Sequence, residues 1–269
     1  MKAWRVCLAL PLFVISTISQ ADTMVLIHGY LGDAFSWENS GVSTVLQQNG
    51  WQRGRFQRQV NTNQFYSINL PSAASIAVQA NYLRPILTRI SQWHPQDRLI
   101  LVGHSAGGVV ARLMVVEKVV PNIDTLITIA SPHVGTPRAA QALDYADTGL
   151  PFSLFQWFFS NDLYHKSRAG AGLFLDLLAP RPGNLLYWLN AQAHPQIHYY
   201  SIIRKFSMGR GDQMVPSFSQ DMNNVPALRG RSGTLVMDLT HTLQPVDGQN
   251  ILLILRQIKQ SQGTKVAAR

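Results

Sequence analysis

Arg98-Leu99-Ile100-Leu101-Val102 runs directly into Gly103-His104-Ser105-Ala106-Gly107-Gly108, and the residues from Val109 to Val120 suit a helix. A short leucine-rich, β-branched run of this kind marks a strand buried on both faces, as in parallel sheets. Residues 103–107 match Gly-x-Ser-x-Gly. Chance puts that pattern in about one chain in ten of this length, so the pattern alone decides little. Its setting decides more. A serine between a buried strand and a helix occupies a turn so tight that it must hold strained backbone angles, and only small neighbours avoid a clash. Gly103, Gly107 and Gly108 meet that need. Such a turn presents the Ser105 hydroxyl to a cleft at the positive end of the following helix.

The rest of the chain agrees with an alternating plan. Met24-Val25-Leu26-Ile27 reads as a buried strand ending in His28-Gly29, and residues 35–49 suit a helix. Phe65 to Leu70 reads as a strand, and Ser75 to Trp93 as a helix with Pro85 bending it. Thr125 to Ala130, His198 to Ile203 and Thr234 to Leu239 read as further strands, and Val246 to Gln260 as the last helix. Strands alternating with helices predict βαβ units and a mostly parallel sheet. Residues 139–195 break the rhythm and read as an insertion, with the aromatic run Phe152, Phe155, Trp157, Phe158 and Phe159 inside it.

A serine hydroxyl attacks only when a base takes its proton, and the base needs an acid to orient it. Where the nucleophile sits on a strand-to-helix elbow, the chain order is Ser, then Asp or Glu, then His. His241, between the strand Thr234 to Leu239 and the last helix, is the expected base. Asp212, in Gly211-Asp212-Gln213-Met214-Val215-Pro216, is the expected acid. The rivals fit less well. His94, His165, His194 and His198 fall at a helix end, in the insertion or at a strand start, and His104 and His133 suit packing near the site. Asp238 reads as part of the strand before His241, and Asp221 as a weaker competitor in the acid loop. The oxyanion of a tetrahedral intermediate needs backbone donors. Ala106 N–H, after the nucleophile, is one; Tyr30 N–H, in His28-Gly29-Tyr30-Leu31-Gly32, is the other, with Leu31 second.

The chain has 269 residues, 46% of them hydrophobic and 14% charged, which bounds it to one globular domain. Residues 1–21 have the layout of a secretory signal peptide: basic Lys2 and Arg5, an apolar run from Val6 to Ile18, and Ser19-Gln20-Ala21 before the expected cut. Residues 22–269 are then the mature domain, in the periplasm or outside the cell. The single cysteine, Cys7, leaves with that segment, so disulfides and thiol catalysis are excluded from the mature chain. The formal charge of +9 falls by two when Lys2 and Arg5 leave. A basic surface attracts nucleic acid or an anionic membrane face equally, and a solvated surface is the plainer reading. No nucleic-acid partner is expected.

Together, Val25 to Gly29, Gly103 to Gly108, Ile129-Ala130-Ser131-Pro132-His133-Val134-Gly135-Thr136-Pro137, Gly211 to Pro216 and His241 resemble the α/β-hydrolase superfamily. More narrowly they resemble bacterial lipases of the triacylglycerol-lipase type, and they are similar to the inositol-deacylase-like group. The resemblance implies an α/β-hydrolase fold with a compact sheet of about six strands, because the His-Gly strand begins almost at the expected cut. It also implies that 139–195 is a helical lid lining an acyl pocket or touching a lipid interface. The implied activity is that of a lipase or esterase, a carboxylic-ester hydrolase acting through an acyl-enzyme on lipid-like esters. Thioesterase, amidase, phospholipase and acyltransferase chemistry remain alternatives on the same triad, as does a non-catalytic binding protein of this fold. No cofactor is needed, and no carboxylate cluster suggests a metal.

Overall fold

The computed structural model describes residues 21–55, 62–148, 170–206 and 211–267. The leader-like residues 1–20, the aromatic run 151–159 and His165 lie outside the described residues. Among the described residues no helix is long and apolar enough to cross a membrane.

The strands are β1 (Asp22–Ile27), β2 (Gln52–Arg53), β3 (Gln64–Ile68), β4 (Arg98–His104), β5 (Ile123–Ile129), β6 (His198–Arg204) and β7 (Ser232–Met237). They form one sheet in the order β2-β3-β1-β4-β5-β6-β7, and every pairing is parallel. The sheet therefore has seven strands where about six were expected. The extra one is β2, a two-residue edge strand with both residues exposed. It carries no apolar alternation for a sequence reading to find.

Each central strand is buried on both faces, as the β4 sequence implies. In β1, Val25 and Ile27 join one apolar layer while Met24 and Leu26 join the other. The first layer is completed by α3 (Ile76–Trp93) and α4 (Ala106–Val116), which contribute Leu83, Leu87, Val109 and Met114. The second layer is completed by α1 (Ser36–Asn39), α2 (Val42–Gln48) and the last helix, α9 (Pro245–Ala267). The single helix expected over 35–49 is thus two pieces. Gly41 between them has φ 78°, a left-handed turn that ends the first piece and caps the second. α3 begins with Ser75 accepting from Val78 N–H, and it runs on through Pro85 as one helix.

Between β5 and β6 lie α5 (Pro137–Thr148), α6 (Ala171–Asp176) and α7 (Leu185–Ala191), the described parts of the interruption seen in the sequence. Leu173, Phe174, Leu186 and Leu189 bury themselves against the first apolar layer. A one-turn helix, α8 (Ser217–Gln220), follows the β6 loop.

Because all strands point the same way, the loops after β1, β4, β6 and β7 gather at one edge of the sheet. That edge is where open α/β sheets build their sites.

Candidate active site

Ile27 of β1 pairs with Gly103 of β4, so the turns that follow the two strands lie side by side. Their closeness sets strict limits on side chains. A Cβ at Gly29 would fall 2.8 Å from the Cβ of Ser105. A Cβ at Gly103 would fall 2.4 Å from Gly108 Cα, and one at Gly107 only 2.2 Å from the His28 carbonyl oxygen. The glycines of Gly-x-Ser-x-Gly are therefore required by backbone packing. Ser105 itself has φ 53° and ψ −127°, a strained pair for a residue with a side chain. Its N–H donates to Ile129 O at 2.8 Å, which ties the strained turn to β5.

The strain aims the hydroxyl. Ser105 Oγ lies 3.0 Å from His241 Nε2, and His241 Nδ1 lies 2.8 Å from Asp212 Oδ2. A carboxylate accepts, so Nδ1 carries the proton and Nε2 is left to accept from the serine hydroxyl. Asp212 is held on all sides. Its Oδ1 accepts from Met214 N–H at 2.8 Å and Val215 N–H at 2.7 Å, and its Oδ2 faces Gln220 Nε2 at 3.3 Å. The Asp212 side chain is fully buried while that of His241 keeps 17% of its surface. The pair is thus dry at the carboxylate and open at the imidazole.

Ala106 is the first residue of α4, and its N–H has no helical acceptor. The N–H groups of Tyr30 and Ala106 have no hydrogen-bond partner among the described residues. The turn carrying Tyr30 is shaped by His28, whose Nδ1–H donates to Gly29 O at 3.0 Å while Nε2 accepts from Leu70 N–H at 3.0 Å. Burial holds the His28 imidazole below its ordinary pKa, which favours this neutral form.

A cavity of about 50 Å³ adjoins Ser105 and Ala106, walled mainly by Tyr30, Ala139, Leu173, Phe174, Leu177 and Val215. Tyr30 and Phe174 meet edge to face, with ring centres 5.2 Å apart.

The structure therefore gathers Ser105, Asp212, His241, Tyr30 and Ala106 at one place, and it leaves the described rivals elsewhere. His94 bonds Tyr66 and Asp97, His133 bonds Thr128, His194 bonds Gln192 O, and His198 bonds Gln262. Asp221 caps a short turn by accepting from Asn223 N–H. Asp238 is exposed and lies beyond β7, which ends at Met237, rather than inside a strand. Two supporting residues escaped the sequence reading in their specific roles. His104 Nε2–H donates to the His241 carbonyl oxygen at 2.8 Å, and Gln220 braces the acid loop. Burial, with His241 close by, pushes the His104 imidazole down to about 3, so it stays a neutral donor.

Residues 19–147 match the PGAP1-like alpha/beta domain. A 66-residue stretch is 41% identical to the GPI inositol-deacylase of Debaryomyces hansenii, covering 22% of this chain and only 6% of that protein. Among solved structures, the mature Bacillus licheniformis lipase BlEst2 superposes with a TM-score of 0.64 at 14% identity, over 88% of this chain and 92% of that one. A lipase-esterase related protein from Clostridium acetobutylicum gives a TM-score of 0.54 at 12% identity, over 89% and 95% of the two chains. With this sheet and these likenesses, the chain has an α/β-hydrolase fold, and its residues 19–147 match the PGAP1-like alpha/beta domain.

Proposed function

We propose that the protein is a serine carboxylic-ester hydrolase that works through an acyl-enzyme. The observation that carries this reading is the unbroken relay from Ser105 Oγ to His241 Nε2, and from His241 Nδ1 to Asp212 Oδ2, at 3.0 and 2.8 Å. In the first half-reaction Ser105 Oγ bonds to the ester carbonyl carbon as its proton passes to His241 Nε2. The Nδ1 proton stays on His241 and is donated in a hydrogen bond to Asp212, whose charge stabilises the imidazolium. The oxyanion accepts from the N–H groups of Tyr30 and Ala106. The bond from carbon to the alcohol oxygen then breaks, and the alcohol leaves with the proton held on Nε2. In the second half-reaction a water gives its proton to His241 and attacks the acyl carbon. The acid is released and Ser105 regains its hydrogen.

The pocket supports short acyl chains. A cavity of about 150 Å³ holds a benzene ring, so about 50 Å³ corresponds to two or three carbons. The lipid-like substrates suggested by the aromatic run 151–159 rest on residues outside the described ones. Export to the periplasm or beyond the cell is part of the proposal, supported by the leader-like residues 1–21.

The test is turnover of p-nitrophenyl butyrate and p-nitrophenyl palmitate by the wild type and by Ser105→Ala. Butyrate cleavage that vanishes in the variant is expected. No cleavage of either ester by the folded wild type, or cleavage that survives the substitution, refutes the reading.

A further inference from the structure

Three pieces of chain wall the cavity beside Ser105. Thr136 and Ala139 stand at the start of α5, Phe174 and Leu177 in α6 and at its end, and Met214 and Val215 in the loop that holds Asp212. Thr136 is bonded to both of the other pieces. Its backbone N–H donates to Leu177 O at 3.0 Å, and its Oγ1–H donates to Met214 O at 2.5 Å. The same oxygen accepts from Arg138 N–H at 3.2 Å, in the first turn of α5.

The hydroxyl therefore joins one wall of the cavity to another. Met214, the residue it holds, also gives its N–H to Asp212 Oδ1. Arg138 Nε adds a second tie to the same loop, at Gln213 O, 2.9 Å away. Thr136 has one more neighbour. It lines a second, mostly apolar cavity of about 320 Å³, together with Val134, Pro137, Ala140, Leu178 and Phe218. Among the described residues Thr136 alone lines both cavities.

In an acyl-enzyme the carbonyl carbon stays on Ser105 Oγ, so the two or three carbons that fit in about 50 Å³ are the ones beyond it. A propionyl or butyryl group meets that limit. A hexanoyl group exceeds it and enters only if the walls part.

We propose that Thr136 determines the acyl-chain limit of the site: its hydroxyl, by holding Met214, keeps the walls together and the larger cavity closed to the acyl group. The inference rests on the ester-hydrolase reading above and refines it. A bond that ties two walls opposes the substrates too long for the gap and leaves those that fit alone. Its loss therefore changes a ratio between substrates, whereas a general loss of structure lowers both rates alike.

The experiment compares kcat/KM for p-nitrophenyl butyrate and p-nitrophenyl hexanoate in wild type, Thr136→Val, Thr136→Ala, Thr136→Ser and Ser105→Ala. Valine keeps the size of the side chain and drops the O–H, while serine keeps the O–H and drops the methyl. Both esters are measured on one preparation, so the ratio is independent of how much of a variant is folded. The wild type should favour butyrate by about tenfold or more, the effect of methylenes that a pocket does not accommodate. Thr136→Val and Thr136→Ala should each lower that preference by about tenfold, and Thr136→Ser should retain it. Equal cleavage of the two esters by the wild type overturns the proposal while leaving the hydrolase reading intact. So does a wild-type ratio in Thr136→Val or Thr136→Ala, which would make the bond structural only. A shift in Thr136→Ser as large as in Thr136→Val also overturns it, since the methyl and not the tie would then set the limit. If the folded wild type cleaves neither ester, or Ser105→Ala cleaves them, the hydrolase reading fails first and this one falls with it.

Discussion

His104 donates from its ring Nε2–H to the backbone carbonyl of His241, 2.8 Å away and 137 positions later in the chain. The residue beside Ser105, the proposed nucleophile, thus holds the main chain of the residue proposed as its base. Their rings sit 5.1 Å apart, tilted by 47°. Removing the anchor leaves Nε2 of His241 in place chemically but frees the loop that aims it.

His104→Ala should lower kcat by about ten- to a hundredfold, since displacement of a reacting group by about 1 Å has an effect of that size. KM should change little, because the cavity beside Ser105 is untouched. His104→Gln keeps an N–H donor of similar reach and should recover much of the loss. Steady-state kinetics on p-nitrophenyl butyrate decide it, and equal rates for the two variants would count against an anchoring role.

Gln220 is the corresponding brace for Asp212, the proposed acid. Its Oε1 accepts from Arg204 N–H at 2.6 Å, and its Nε2 donates to Val215 O at 2.8 Å beside Asp212 Oδ2. Gln220→Leu strands the buried Arg204 N–H and loosens Asp212. The expected result is a stability loss of about 1–3 kcal/mol with kcat down on the order of tenfold. Urea unfolding and kinetics on the same preparation measure both. A fall in stability with an unchanged kcat would assign Gln220 to packing alone.

Arg204 and Asp247 form an ion pair with both side chains fully buried, joining the end of β6 to the first turn of α9. Burial raises the Asp247 carboxyl pKa, and the Arg204 guanidinium opposes that rise. Asp247→Asn leaves a buried guanidinium without its counter-charge and should cost about 3–5 kcal/mol. Arg204→Met with Asp247→Leu removes both charges and should recover most of that loss. Denaturant melts of the single and double variants test this, and a double variant as unstable as the single would refute it.

Stability should also fall early on acidification. Burial holds down His28, His104 at about 3, His194 at about 4, and His133, with the Arg112 charge adding to the effect at His133 and His194. These rings stay neutral in the folded state but take up protons near pH 6.5 when unfolded. Below that pH the unfolded chain binds more protons, so stability that is complete above about pH 7 declines from there toward pH 4. Each ring adds a slope of up to about 1.4 kcal/mol per pH unit. The urea midpoint should therefore drop between pH 7.5 and 5. A flat profile across that window would contradict it.

The sheet was readable wherever strands are buried on both faces. Val25 to Ile27, Leu99 to Val102 and Thr125 to Ile129 are apolar or β-branched without interruption, and no other environment suits them. Gln52–Arg53 pairs through its backbone at an exposed edge, so its side chains carry no signal. The grouping of Ser105, Asp212 and His241 followed from chain order, because each sits just beyond a readable strand. The anchoring bonds of His104 and Gln220 did not. They join side chains to backbone atoms in other loops, and a one-dimensional pattern holds no record of such contacts. Phe174 was hidden for a similar reason: a helix's apolar residue reads as core whether or not it walls a pocket.

The three residues also differ in when they are made. Ser105 and its strained turn come early, while Asp212 and His241 follow β6 and β7, the last of the described strands to leave the ribosome. Neither loop has a place to dock until both strands have joined the growing edge of the sheet. A chain in transit past Ser105 therefore carries that serine with neither Asp212 nor His241 beside it, and the proposed relay can form only once both have been made.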